Sequence, residues 1–265
     1  MAASLNCRSL PLNPPAPFPN QTLYSISLYH EVMGTALVLS GGGMFAAWEA
    51  GAWRALCESF KPDLIVGTSA GALNGWLIAG GTTPDELSAA WLDPAVAQIF
   101  RPTLHGNALC AKTRELAARC RPQIPFGLTV TEFPNLRPRL FCDGEVTWQH
   151  LAAACSVPVI FPPVKIGGIR YFDGGFRSAL PLWAAEQMGA TRAIGLNCLN
   201  TLPFRVLRKV LRPRRPSKAL DVLVIEPSEW LGSLRDASVW SAANIERWIA
   251  LGESDGHRAA TSITM

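Results

Sequence analysis

The sequence predicts an α/β fold in which a mainly parallel sheet is covered by helices on both faces. Three observations predict it. Short apolar runs with strand character alternate with helical runs along the chain. Of 265 residues, 49% are hydrophobic and 17% charged, which suits one large domain with a substantial core. Two of the early strands end in turns rich in glycine, at the edge where sites lie in such sheets.

The elements follow in order. TALVLS (35–40) reads as a buried strand, and MFAAWEAGAWRALCES (44–59) as a largely apolar helix ended by Pro62. DLIVGT (63–68) is the second strand and AGALNGWLIAG (70–80) the second helix. At the entry to TPDELSAAWLD (83–93), Thr82 just before it and Thr83 are N-cap candidates, with Pro84 early in the helix and acids in its first turn. FGLTVTEF (126–133) and RPRLFCDGEVTW (137–148) read as strands, with Asp143-Gly144 as a hairpin turn. TWQHLAAAC (147–155) is helical until Pro158, and IRYFDGG (169–175) is a short strand ending in a turn. PLWAAEQMG (181–189) is a helix stopped by Gly189, TRAIGLN (191–197) and LDVLVIEP (220–227) are later strands, and a last helix falls within 238–252.

Composition excludes several classes. The seven cysteines (Cys7, Cys57, Cys110, Cys120, Cys142, Cys155, Cys198) have neither CxxC nor metal-type spacing, and their odd number suits a reducing compartment. The four histidines are nowhere paired at ligand spacing, so no metal site is expected. Residues 1–33 carry five prolines and no basic start followed by an apolar run; they read as a disordered tail, not a secretory signal. Met33 opens MGTALVLS, which resembles a natural start, and residues 34–265 form the expected domain. Leu64–Pro84 is uncharged over 21 residues, but five glycines, Asn74 and Ser69 favour a strand, turn and helix over a membrane span.

Two turns carry chemistry. GTSAG (67–71) matches the nucleophile elbow, in which Ser69 stands on a sharp strand-to-helix turn with small neighbours, Gly67 and Gly71. SGGGMFA (40–46) after the first strand has two competing readings. Gly41-x-Gly43-x-x-Ala46 with Asp63 imitates a dinucleotide fingerprint, but Asp63 precedes the second strand instead of ending it. The better reading is a nest of backbone N–H groups at Gly41, Gly42 and Gly43 that receives an oxyanion, with an ordinary tight turn as the plain alternative. The serine needs a base. A Ser-Asp-His order would leave His257 near the C-terminus to serve, and His150 sits in an apolar helix as a packed or surface residue. Asp173, at a strand end and followed by Gly174 and Gly175, is preferred over Asp143 in its single-glycine turn.

The glycine turn, GTSAG, SVPVIFPPV (156–164) and DGG (173–175), in this order, resemble the patatin-like phospholipases, or lipid acyl hydrolases, over roughly residues 34–198. The resemblance implies a three-layer α/β/α fold and a Ser–Asp dyad without histidine or cofactor. Ser69 would be the nucleophile, Asp173 the base, and the glycines at 41–43 the oxyanion hole; Gly174 and Gly175 belong to the second motif. The family's glycine turn usually continues x-Arg/Lys-Gly, whereas this chain has Met44-Phe45-Ala46, which leaves open whether a phospholipid or a neutral ester is preferred. The alternatives are a small-ester hydrolase or acyltransferase on the same dyad, and a catalytically silent lipid-binding protein.

One stretch stands apart. LPFRVLRKVLRPRRPSK (202–218) holds seven cations (Arg205, Arg208, Lys209, Arg212, Arg214, Arg215, Lys218) and no acid, while the whole chain is only +4. Phe204, Leu207 and Leu211 recur at helical spacing, so the stretch reads as a basic amphipathic segment contacting an anionic membrane, or as a solvated loop. The expected partners are therefore a lipid or ester substrate and an anionic bilayer, without nucleic acid, for a cytoplasmic protein held peripherally at a membrane.

Overall fold

A computed structural model of the chain describes residues 34–99, 107–158, 160–199 and 215–263; the Pro-rich segment 1–33 and most of the basic stretch lie outside them. The described apolar runs become β1 (Gly34–Leu39), β2 (Leu64–Thr68), β3 (Phe126–Phe133), β4 (Arg137–Cys142), β5 (Val164–Ile166), β6 (Ile169–Asp173), β7 (Ala190–Leu196) and β8 (Asp221–Ile225). The helices are α1 (Ala47–Leu56), α2 (Ala70–Ala79), α3 (Pro84–Leu92), α4 (Val96–Ile99), α5 (Asn107–Arg119), α6 (Trp148–Ala154), α7 (Leu182–Gln187) and α8 (Ala242–Ile263).

The strands form one sheet in the order β5-β6-β3-β2-β1-β7-β8, with β4 also on β3. β3, β2, β1, β7 and β8 are parallel neighbours. β4 and β6 add antiparallel to β3, and β5 antiparallel to β6. Alternation along the strands explains the layers. Leu37 and Leu39 of β1, Ile65 of β2 and Ile194 of β7 join the larger core beneath α1, α2, α3 and α8. Ala36 and Val38, Leu64 and Val66, and Ala193 point the other way, onto Trp183, Ala184 and Ala185 of α7. Both faces of these strands are buried, which is why they read as continuous apolar runs. The chain is thus α/β with helices on both sides of a central sheet.

Local chemistry sets the ends. Thr83 caps α3 in a full capping box: its Oγ1 accepts from the Glu86 amide at 3.2 Å, and its own amide donates to Glu86 Oε2 at 3.0 Å. Asp63 accepts from the Thr35 amide at 2.7 Å at the start of β1, the sheet edge opposite the glycine turn, so it has no role beside that turn. The uncharged run 64–84 resolves into β2, α2 and the entry to α3, and no helix among the described residues is long and apolar enough to cross a membrane.

Three expectations change. The hairpin turn is not at Asp143-Gly144 but between Phe133 and Arg137, joining β3 to β4. Asp143 instead starts a short 3-10 turn, with its Oδ1 accepting from the Phe126 amide at 2.9 Å. The last helix starts at Ala242 and runs on to Ile263, well past 252, because Gly252 and Gly256 let it lie directly on α1. A Cβ on Gly252 would come within 2.0 Å of the Trp48 carbonyl oxygen. α4, α5 and β5 have no counterpart among the predicted elements.

Candidate active site

Ser69 is built by a collision that only glycines avoid. β2 is buried along its whole length and turns into α2 at Ser69, the helix N-cap, with φ 53 and ψ −132. A positive φ at a non-glycine residue costs of order 1–3 kcal/mol and holds only where surrounding structure enforces it. Here the enforcement is backbone packing. A Cβ on Gly67 would lie 2.4 Å from the Gly71 carbonyl oxygen, and one on Gly71 would lie 2.3 Å from that of Ser40.

Asp173 arrives by sheet topology. One edge of β3 carries β4; the other pairs first with β2 and then with β6. β2 ends at Thr68 opposite Thr129, and β6 runs in from the other direction to end at Asp173 opposite Val130. The two strands therefore meet end to end, and the residues at their tips face each other. Ser69 Oγ donates to Asp173 Oδ2 at 2.6 Å. Asp173 Oδ1 accepts from the Gly175 amide at 2.7 Å, and the Asp173 amide donates to the Ser156 carbonyl at 3.0 Å. A Cβ on Gly174 would strike the Thr129 carbonyl oxygen at 2.3 Å, which is why glycine follows the aspartate. Asp173 is only 5% exposed, and burial pushes its carboxyl up to about 6, against the lowering effect of its bonds to Ser69 and Gly175.

The glycine turn lies against the serine. A Cβ on Gly41 would be 3.0 Å from that of Ser69. The Gly41 amide already donates to the Ala179 carbonyl at 2.9 Å, and that of Met44 donates to Ala237 at 2.9 Å. The amides of Gly42 and Gly43 have no acceptor among the described residues. Gly43 has φ +58, and the Ala237 carbonyl leaves no room for a side chain there. Met44, Phe45 and Ala46 are core residues, with Phe45 edge-on to Trp248 at 5.1 Å between centroids. Position 45 thus serves packing in this chain, where the family carries a cation.

The remaining candidates sit elsewhere. His150 is buried, with Nδ1 on Thr147 and its ring 4.3 Å from that of Phe141; burial pushes its pKa down to about 4. His257 is exposed on α8. Neither is hydrogen-bonded to Ser69 or Asp173. Of the basic stretch, Arg205, Arg208, Lys209, Arg212 and Arg214 lie outside the described residues; Arg215 and Lys218 are exposed. They flank Ser217, whose amide donates to Glu186 Oε2 at 2.9 Å near the end of α7, toward the sheet edge opposite Ser69. Sequence reading did not single out Glu49 or Ser40, which with Asn74 and Cys198 form a buried polar cluster behind the glycine turn. The available signal was a lone acid and a lone amide, each inside an apolar helix.

The family model for patatin-like phospholipase matches residues 37–186. A patatin-like phospholipase domain-containing protein of Aspergillus oryzae is 30% identical over 194 residues, covering 57% of this chain and 27% of that protein. Triacylglycerol lipase ptl2 of Schizosaccharomyces pombe is 27% identical over 198 residues, covering 58% of this chain and 31% of the relative. The chain spans under a third of the length of these curated relatives. Among solved structures, VipD from Legionella pneumophila aligns with a TM-score of 0.48 and 11% identity, covering 87% of this chain and 67% of that one.

Proposed function

The chain belongs to the patatin-like phospholipase family, and from that premise we propose that it is a lipid acyl hydrolase working through a Ser69–Asp173 dyad. The observation that carries this reading is the 2.6 Å contact from Ser69 Oγ to Asp173 Oδ2, made by a serine held at φ 53 on a strand-to-helix turn. Asp173 takes the hydroxyl proton as Ser69 Oγ attacks the ester carbonyl. The tetrahedral oxyanion is received by the free amides of Gly42 and Gly43, next to the N-terminus of α2. Collapse expels the alcohol, which recovers the proton from Asp173 and leaves an acyl-Ser69. Asp173 then draws a proton from water as its oxygen attacks the acyl carbonyl, and returns that proton to Ser69 Oγ as the acyl–Oγ bond breaks and the fatty acid departs.

An apolar cavity supports a hydrocarbon chain as part of the substrate. It has a volume of about 50 Å³, and its wall includes Ala70, Leu73 and Leu77 of the helix that Ser69 caps, with Trp91 and Leu116 and the polar Asn74 and Lys112. Burying each methylene there is worth about 0.8 kcal/mol. The reading includes a cytoplasmic enzyme acting at an anionic membrane surface, on the strength of its cysteine spacing and basic stretch.

Fluorophosphonate labelling and turnover of a panel spanning phosphatidylcholine, triacylglycerol and p-nitrophenyl esters test the proposal. Ser69→Ala is expected to lose labelling and turnover together while keeping the fold. Labelling retained in that variant removes the nucleophile assignment, and an unlabelled, inactive wild type returns the chain to a silent lipid-binding role.

A further inference from the structure

Glu49 lies on α1, 1% exposed, in a helix whose other buried residues are Ala, Gly, Trp and Leu. Its two oxygens serve different elements. Oε1 accepts from the Ser40 amide at 2.9 Å and lies 3.0 Å from Ser40 Oγ. Oε2 accepts from Asn74 Nδ2 at 3.0 Å. The Asn74 amide can face only this way, because its Oδ1 accepts from Trp91 Nε1 at 2.9 Å and its Nδ2 also donates to the Ala46 carbonyl at 2.9 Å. Cys198 closes the cluster: its amide donates to Ser40 Oγ at 3.0 Å, and its sulfur is 3.3 Å from that oxygen.

These partners belong to the parts that build the site. Ser40 immediately precedes Gly41, and α1 begins just after the glycine turn. Asn74 is on the helix capped by Ser69. Cys198 fills the space behind Gly42, where a Cβ would come within 2.3 Å of the sulfur. We propose that Glu49 is a positioning residue for acyl transfer: through Ser40 and Asn74 it locks the Gly42 and Gly43 amides in register with Ser69. The inference rests on the Ser–Asp reading above.

The donor pattern specifies a carboxyl group. N–H donors point at both oxygens, so the amide of glutamine would set its NH₂ against one of them. A protonated Glu49 satisfies every partner: Oε1–H donates to Ser40 Oγ, whose own proton turns to the Cys198 sulfur. Burial pushes Glu49 up to about 8, against the lowering effect of Asn74 and Ser40. Facing it are Ser40 from the end of β1, Asn74 from α2 and Cys198 beyond β7, and burial holds the Cys198 thiol protonated as well. Charged groups on the helices packed against α1 are engaged elsewhere or face outward. Asp85 and Glu253 pair with Arg54, Glu86 sits on the Thr83 cap, and Asp255 takes the Trp48 indole and Arg258. Arg247 reaches the Leu231 carbonyl, and Glu246 and His257 are exposed. Below its titration Glu49 is neutral; above it, a buried negative charge stands behind the turn that must receive an anion.

The test follows kcat and KM of the full chain on p-nitrophenyl butyrate from about pH 5 to pH 10. Wild-type kcat is expected to fall as pH rises through about 8. Glu49→Gln should lower kcat at neutral pH by about 10- to 100-fold with KM little changed, and should lose the alkaline fall because an amide does not ionise. Ser40→Ala removes the hydroxyl that accepts from the Cys198 amide and whose hydrogen bond lowers the Glu49 pKa, so the fall should move to higher pH. Wild-type kcat in Glu49→Gln, or an alkaline fall unmoved in the variants, overturns the inference. Should Glu49→Gln not fold, the Ser40→Ala shift decides alone. Labelling of wild-type Ser69 by a fluorophosphonate separates the two levels. Labelling with an unmoved alkaline fall sinks only the role of Glu49, whereas absent labelling removes the dyad reading and this inference with it.

Discussion

In the proposed dyad, Asp173 has to be basic enough to take a proton from serine, yet ionised when substrate arrives. Its surroundings set this balance: burial raises its proton affinity, and the Ser69 hydroxyl and Gly175 amide stop the rise at about 6. Below that pH the carboxyl is protonated and cannot accept from Ser69, so kcat/KM should climb as pH rises through about 6. A stopped-rate profile on a non-ionising ester checks this, and activity already at its plateau at pH 4 would contradict it. Asp173→Asn keeps the shape but cannot take the proton, and turnover should drop by about 10³-fold. Asp143→Asn should leave turnover near wild type, since Asp143 bonds the Phe126 amide away from Ser69. Ser69 and Asp173 are legible in the sequence because each sits beside glycines that a backbone collision demands. Glu49 is not. Nothing local to its helix shows that its oxygens meet Ser40 on one side and Asn74 on the other.

At the scale of elements, the site depends on β2 and β6 meeting end to end against one edge of β3. Strand periodicity reveals both strands but not this junction, because register across long connections is a property of the packed sheet. The misplaced hairpin has a similar origin: Asp143-Gly144 has turn composition, yet the chain reverses at residues 134–136, where the sequence places Pro-Asn-Leu. Helix α8 extends past its predicted end because close packing on α1 outweighs the poor helix propensity of Gly252 and Gly256. Gly252→Val should therefore lower stability by about 3 kcal/mol, read as a drop in Tm, since the backbone carbonyl of Trp48 cannot move aside. A Tm within a degree or two of wild type would show that the crossing tolerates a wider spacing. The cavity beside α2 allows a sharper test of substrate. Leu73→Trp should fill it and cut turnover of a hexanoyl ester by about tenfold, leaving the butyryl ester within about twofold. An equal loss on both esters would place the acyl chain elsewhere.

Across the whole molecule, charge is unevenly spread: the chain is +4 while residues 202–218 alone hold seven cations, so the rest is net negative. Topology says where this stretch starts. β7 is parallel to β1, and Leu196 at its end accepts from the Ser40 amide, so the chain leaves the sheet beside the glycine turn. It returns at Ser217 and Asp221, toward the opposite edge, where Ser217 meets Glu186 and β8 begins. The chain is thus described up to Leu199 on the side of Ser69 and again from Arg215 on the far side. If an anionic bilayer is engaged with the site facing it, cations close behind Leu199 in sequence should matter more than those beside Ser217. Each Lys or Arg close to such a surface is worth about 1 kcal/mol, so Arg205, Arg208 and Lys209 changed together to Glu should weaken binding to phosphatidylserine vesicles by roughly 100-fold or more. Arg215→Glu with Lys218→Glu should matter far less, and raised salt should shrink both effects by screening. Hydrolysis of a soluble butyryl ester should survive in both variants, because a soluble substrate needs no bilayer. Co-sedimentation with vesicles and parallel assays on soluble and vesicle-borne ester read all of this. Equal weakening by the two sets would mean a diffuse attraction that does not orient the site. Unchanged vesicle binding in the triple variant would return the stretch to a solvated loop, leaving the apolar cavity as the remaining link between this fold and lipid.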